Sequence, residues 1–478
     1  MADKQKLGAI ESHHIDYVSE SERHGKVWRQ GPFWFLGNFQ TFTVAIGFVG
    51  PSYFGLNLMW TVVAGVAGIL FGTLFMAAHA AQGPKLGLPQ MIQSRAQFGY
   101  KGVAVPLIGT TFTFVAFLVV DTVIIKLGLN GIFGWNTVLV ATVIAVMSGV
   151  LAIYGHDWVH RVFIVLFWIS VPCWLLLTFG IVSGKISGTP MDETTLGYNF
   201  AGFAAMFATA ASYNITYAPY VSDYTRYLPS ATSASAVIRS VFVGAAGSPM
   251  WLIPVGAWLA IKLGAVDALV GIHDAGNQVV SGLGTLLALV SVLALVATMG
   301  MGVYSGMLSV VTAMDSARPV ASGARVRVYI SILLTVIALI LGIALTNAIT
   351  ALYGALTIML YLLSPWTAIN LIDFYYVRHG KYAVTDLFTP KGIYGSWGRR
   401  GLIAYFIGIA VEIPFCYVAG YFESPGAKAL SGVDISWILG LVVSGVVYLV
   451  LAKNLDLGSE AKAITASDST LRSTGSAR

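Results

Sequence analysis

The stretch Ala218–Pro229, APYVSDYTRYLP, decides how this chain is to be read. It closes an apolar run with Pro219, then packs an acid (Asp223), a base (Arg226) and three tyrosines (Tyr220, Tyr224, Tyr227) into one short segment. A helix built only for lipid should not finish this way. Proline removes a backbone donor, and freed backbone groups and charges are tolerated at membrane depth only where they meet protein or a watery cavity.

The rest of the sequence puts that segment in a membrane. Of 478 residues, 57% are hydrophobic and 10% charged, with a mean hydropathy of +0.78; soluble domains carry about 25% charge. Recurrent apolar segments, each sufficient for a ~30 Å hydrocarbon core, predict an all-α polytopic membrane protein of twelve helices. They fall near 33–57, 59–82, 104–129, 135–155, 160–183, 198–221, 238–263, 282–312, 326–347, 350–376, 401–420 and 434–452. Residues 1–31 form a polar tail without the apolar core of a cleavable leader, residues 32–453 the membrane domain, and residues 454–478, rich in Ser, Thr and Ala, a tail expected to be disordered. Placing the N-terminus inside puts 23 of the 27 Lys and Arg on the inner side and four, Lys126, Lys185, Lys262 and Lys428, near the other face. By the positive-inside rule both tails are expected in the cytoplasm of a cell membrane. The net charge of +6 therefore reflects orientation and is no sign of nucleic acid. Cys173 and Cys416 lie within apolar segments, against a disulfide framework.

Two helices look broken in matching places. The first carries GFVGPSYFG, with Gly47, Gly50 and Pro51, and the sixth carries NITYAPYVSDY. Helices 1–5 and 6–10 would then be inverted repeats, with a binding site where the breaks meet; the alternative is that Gly and Pro merely kink or pack these helices. Polar residues gather at both places: Asn38, Gln40, Thr41 and Thr43 on helix 1, with Ala45 and Gly47 beyond them, and Tyr213, Asn214, Thr216 and Tyr217 on helix 6. In helix 3, Asp121 stands among apolar residues, where an ionisable group costs at least ~2.5 kcal/mol. It is expected to face the bundle interior and have a task, a structural hydrogen bond being the alternative. Lys126 either pairs with it or snorkels to the surface. Glu412 in helix 11 lies outside the repeats and reads as a structural contact, or else as a second coupling group.

Enzyme-like signals are weak. His156 and His160 in YGHDWVHR have the i, i+4 spacing of a zinc pair, yet the flanking aromatics suit a membrane-boundary loop. Neither a nucleophile elbow nor a phosphate-binding loop occurs, so solute movement must draw on an ion gradient or be passive. No metal or cofactor is expected.

Four segments now carry a resemblance. PYVSDYTRYLP, GFVGPSYFGL, GPKLGLPQMIQSRAQFGYKG and NLIDFYYVRHGKY, in the order of the family's own motifs, resemble the nucleobase/cation symporter family in its purine-cytosine permease branch. The resemblance implies the fold of the leucine transporter, a 5+5 inverted repeat plus two C-terminal helices, with a substrate pocket between helices 1, 3, 6, 8 and 10. It implies a flat heterocycle stacked between aromatics on helices 3 and 6, which look like Phe117 and Tyr217. The substrate-binding set is then Gln40, Thr43, Ala45, Gly47, Phe117, Asp121, Asn214, Tyr217, Thr298 and Met299. Fungal relatives tend to carry Asn at the position of Asp121, and an Asn-rich stretch where this chain has ATMGMG (Ala297–Gly302). Sodium-dependent relatives use a Ser/Thr pair on helix 8, whereas VSVLALVATMG offers Ser291 and Thr298 alone; protons, carried by Asp121, are the expected coupling ion, with sodium the alternative. Asp223 and Arg226 become an inner gate, or an ordinary i, i+3 surface pair worth a few tenths of a kcal/mol. The expected activity is import of a nucleobase by ion symport. Its alternatives are a sodium-coupled permease for allantoin, a hydantoin, thiamine or pyridoxine, and, from other classes, a membrane enzyme or a passive channel.

Overall fold

The computed structural model describes residues 15–154, 156–318, 320, 324–418 and 421–477, without the side chains of 156–160 and 324. The chain is helical almost throughout. Its elements are α1 (Gln30–Gly37), α2 (Thr41–Phe54), α3 (Leu58–Ala80), the short α4 (Gln82–Leu86), α5 (Gln90–Gln93) and α6 (Arg95–Phe98), α7 (Ala104–Phe133), α8 (Thr137–Tyr154) and α9 (His156–Val182). Then follow α10 (Phe200–Ile215), α11 (Val221–Thr225), α12 (Ala234–Trp258), α13 (Ala268–Val279), α14 (Leu283–Ala317), α15 (Ala324–Ala344), α16 (Ala348–Ile372), α17 (Arg399–Glu412), α18 (Pro425–Ala429), α19 (Ser436–Ala452) and α20 (Leu457–Thr474). A small hairpin, β1 (Tyr417–Val418) against β2 (Phe422–Glu423), is antiparallel with Tyr417 opposite Glu423.

Among the described residues, eight helices are long and apolar enough to cross a bilayer. The predicted spans one, six, eleven and twelve are the exceptions, for reasons visible in each. The first is broken, α1 and α2 meeting at a 55° bend. The sixth is broken between α10 and α11. The eleventh, expected over 401–420, stops at Glu412 and Phe415, because Pro414 cannot continue the ladder and the chain turns into the hairpin. The twelfth, α19, has 17 residues, the lower limit of a span.

The first break is not where the glycines suggested. Gly47, Gly50 and Pro51 lie inside continuous α2, and the chain departs from helix at Asn38–Gln40 instead. The polar residues cause this. Gln40 caps α2 by accepting from Phe42 N at 2.6 Å, and Thr43 Oγ1 donates to the Asn38 carbonyl at 2.6 Å, so the side chains take up backbone groups that the break frees. The glycines serve packing. A Cβ on Gly47 would meet Ile253 O and Ala257 N of α12, and one on Gly256 would meet Val44 O. The same holds across α3 and α10, where Gly68 faces Phe207 O and Gly72 faces Ala211 O. The backbones of α2 and α12, and those of α3 and α10, are thus in direct contact, as small residues permit.

Two further elements were not foreseen. Helix α13, capped by Asp267 on Leu269 N and Val270 N, is amphipathic and follows the seventh span. The tail expected to be disordered forms α20, bent 91° from α19. It is held by distant partners: Glu460 accepts from Arg378 Nε at 2.6 Å, and Ser467 Oγ accepts from Thr385 N at 3.1 Å.

Candidate functional site

The two breaks are hydrogen-bonded to each other. Asn38 Nδ2 donates to Asn214 Oδ1 at 2.9 Å and to the Ala245 carbonyl at 2.8 Å; Gln40 Nε2 donates to Tyr213 Oη at 3.0 Å, and Thr43 Oγ1 lies 2.9 Å from the same oxygen. Around Pro219 the chain runs from Thr216 to Tyr220 outside regular α-helix, its turns closed by Tyr217 N to Asn214 O and Val221 N to Tyr217 O.

Beside this junction lies a small cavity, with about 10 Å³ of free space, between the broken helices, α7 and α14. That is room for roughly one water. It is lined by Gln40 and Phe42; Phe114, Phe117, Leu118 and Asp121; Tyr217 and Tyr220; and Thr298, Met299, Met301 and Gly302. Six of the residues named from sequence are therefore brought together: Gln40, Phe117, Asp121, Tyr217, Thr298 and Met299. Thr43, Ala45, Gly47 and Asn214 do not line it. Because the break falls at 38–40, the cavity meets Gln40 and Phe42 rather than residues 43–47; Thr43 and Asn214 are spent on the junction, and Gly47 packs on α12. Nothing from α16, the tenth span, lines it. Phe114 was within reach of sequence reasoning, since it precedes Phe117 by three and shares its helix face.

The lining is aromatic with one acid. Phe117 and Tyr217 are nearly parallel, 11° between planes and 5.9 Å between centroids. Phe42 stacks on Tyr213 at 5.2 Å, and Tyr220 meets Tyr217 edge-on at 5.3 Å. Asp121 is 3% exposed, and its Oδ1 has no hydrogen-bond partner. Lys126 does not pair with it; Nζ donates to the Ile343 carbonyl at 2.8 Å. On α14, the Thr298 hydroxyl donates within its own helix to Ala294 O at 3.1 Å. Glu412 is buried far along the chain against α19, where Gly440 leaves room for its carboxyl. The side chains of His156 and His160 lie outside the described residues.

Asp223 and Arg226 are not a surface pair, being 2% and 0% exposed. Asp223 Oδ1 accepts from Gln90 N at 3.1 Å, while Arg226 Nη1 donates to the Asp16 carbonyl at 3.3 Å and its guanidinium sits over the Tyr227 ring. Ser222 Oγ donates to Gln90 Oε1 and Thr225 Oγ1 to the Ala80 carbonyl. Helix α11 is thereby tied to the segment between α3 and α7 and to the N-terminal residues. A double-mutant cycle of Asp223→Asn and Arg226→Gln is expected to show coupling of about 1 kcal/mol or more in the rate of the uptake expected from the sequence. Additive effects on the rate would reduce the two residues to independent packing.

A second charged cluster is built at the same end. Asp373, fully buried, accepts from Arg378, from Tyr448 Oη at 2.6 Å, Tyr382 Oη at 2.8 Å and Gln97 Nε2 at 2.5 Å, and Arg378 also reaches Glu460. A polar chain continues from Gln97 through Asn370 and Gln82 to Gln90, whose backbone holds Asp223.

The profile of a family described as permeases for cytosine/purines, uracil, thiamine and allantoin matches residues 17–440. A Bacillus subtilis protein, YxlA, provisionally named a purine-cytosine permease, is 34% identical over 461 residues, covering 93% of this chain and 96% of its own. The allantoin permease of the same organism is 23% identical over 497 residues, covering 94% of each. Among solved structures, Mhp1, a nucleobase-cation-symport-1 family transporter in a closed conformation with bromovinylhydantoin bound, superposes with a TM-score of 0.73 at 17% identity, over 96% of this chain and all of that one. This last likeness carries the fold.

Proposed function

Since the chain belongs to the permease family for cytosine/purines, uracil, thiamine and allantoin, and is thus a multi-pass membrane transporter, we propose that it imports a planar nitrogen heterocycle, a nucleobase such as cytosine or a purine, by proton symport with alternating access. The observation that carries this reading is the parallel pair of Phe117 and Tyr217. A base between two rings needs about 7 Å, two van der Waals stacking distances, so the slot between these rings, 5.9 Å from centroid to centroid, must widen to take one. A slot so widened admits a flat ring and little else. Gln40 and Asp121 border the slot and supply the donor and acceptor groups that a heterocycle's edge requires, the carboxyl oxygen of Asp121 being still unmatched.

The same oxygen favours the proton over sodium. An unpaired carboxylate is expensive to bury, so Asp121 serves best as a group that loads and unloads a proton as the site opens to either side. Asp223 and Arg226 would then gate the inner exit. The excess of Lys and Arg expected at that end supports cytoplasmic tails in a cell membrane.

Uptake of labelled cytosine, with competition by adenine, hypoxanthine, allantoin, a hydantoin, thiamine and pyridoxine, tests the substrate class. Competition by allantoin or thiamine alone would move the assignment to that branch, and equilibration without accumulation would make the protein a passive pore. Replacing Phe117 or Tyr217 with Ala should raise the apparent substrate constant several-fold to about tenfold, since ring stacking is worth ~0.5–1.5 kcal/mol beyond buried area. Trp should be tolerated at either position. Unchanged uptake constants in both Ala variants, at equal surface expression, would take these rings out of the pocket.

A further inference from the structure

A second, larger cavity of about 690 Å³ opens at the basic end, between the first turn of α17, the end of α19 and the start of α20. It is separate from the aromatic slot. Its wall holds Trp397, Arg399 and Arg400 beside Arg378, Asp456 and Glu460. Three of these charges are already committed: Arg378 and Glu460 are paired, and Asp456 caps α20 through Ser459 N and Oγ. Arg400 is fixed by donating Nε to Leu451 O and Nη2 to Asn454 O, both at 3.0 Å, which leaves the rest of its guanidinium free. Arg399 is exposed. The cavity thus offers two guanidinium groups on one helical turn.

Apolar residues flank them. Arg399, Ile403 and Phe406 follow one another at i, i+4 and i+7 on α17, so they share one face, and Ile403 and Phe406 are 47% and 55% exposed. On α19, Val446 and Val450, four apart, are exposed as well, and Trp397 stands beside the cations as aromatics do at a membrane boundary. We propose that an anionic phospholipid binds here, its phosphate against Arg399 and Arg400 and its acyl chains along the Ile403–Phe406 and Val446–Val450 stripes. A soluble phosphate would use the cations and leave the stripes to bulk lipid. Basic pockets between membrane helices bind headgroups by this combination.

The test uses the full chain in nanodiscs of phosphatidylcholine with and without phosphatidylglycerol, with glycerol phosphate and inorganic phosphate as soluble arms, read by thermal unfolding and by lipid retention in native mass spectrometry. Phosphatidylglycerol should be retained and should raise the unfolding temperature, and Arg399→Gln/Arg400→Gln should weaken its retention about tenfold. Arg400 also ties α19, so Arg399→Gln alone carries the test if the double variant fails to fold; it should lose part of the retention. Equal retention of both lipids, or phosphatidylglycerol retention unchanged in Arg399→Gln, overturns the proposal. Full stabilisation by glycerol phosphate or inorganic phosphate overturns the lipid in favour of a soluble anion.

Discussion

Asp121→Asn is expected to bind and exchange substrate while losing uphill accumulation and the dependence of uptake on external pH. The substitution keeps the shape of the side chain and its capacity for hydrogen bonds, but it cannot titrate. At a membrane potential of about 100 mV, one coupled charge is worth about 2.3 kcal/mol, which supports a roughly 50-fold concentration ratio. The Asn variant should forfeit that ratio and only equilibrate its substrate. Counterflow of labelled base in proteoliposomes separates the two functions, because exchange needs no gradient. An Asn variant that concentrates substrate normally, with the wild-type pH profile, would remove Asp121 from coupling. Wild-type uptake that follows external sodium and ignores an uncoupler would refute the choice of proton.

The second large effect is on stability. Asp373→Ala removes the acceptor shared by Arg378, Tyr448, Tyr382 and Gln97. Breaking a buried pair from one side costs about 3–5 kcal/mol, since the remaining charge stays buried without its partner. Glu460 retains a hold on Arg378, so the lower part of that range is expected. The readout is the unfolding temperature of the purified protein in detergent, which should fall by several degrees, together with faster proteolysis of α20. An Asp373→Ala protein that melts with the wild type and keeps α20 protected would show that the four donors find water instead.

Parts of this architecture were legible from sequence because their causes are local. Pro219 and the polar residues before it mark the sixth break, hydropathy finds the long spans, and Asp121 stands out against its apolar neighbours. Other parts were misread because one residue type serves two ends. Gly47, Gly50 and Pro51 looked like a break, yet the glycines exist to let α12 and α3 approach, and the true break rests on Gln40 and Thr43, whose hydrogen bonds are invisible without the fold. The segment of α20 reads as disorder because Ser, Thr and Ala give no apolar stripe. Its anchor is an arginine 82 residues away, and no local pattern announces such a partner. Likewise Phe42, Tyr220 and Met301 join the cavity only once the helices cross.

The glycine contacts between α2, α3, α10 and α12 have a mechanical side. Where a backbone carbonyl lies against a glycine Cα, there is no layer of side chains to act as a bearing. Sliding one helix by a single residue would bring a Cβ against Ile253 O, Val44 O, Phe207 O or Ala211 O, and the packed interior has no slack to absorb it. The α2–α12 pair and the α3–α10 pair are therefore each locked against sliding. Side chains, which can change rotamer, are what separate these pairs from each other and from Phe117, Asp121 and Thr298 on α7 and α14.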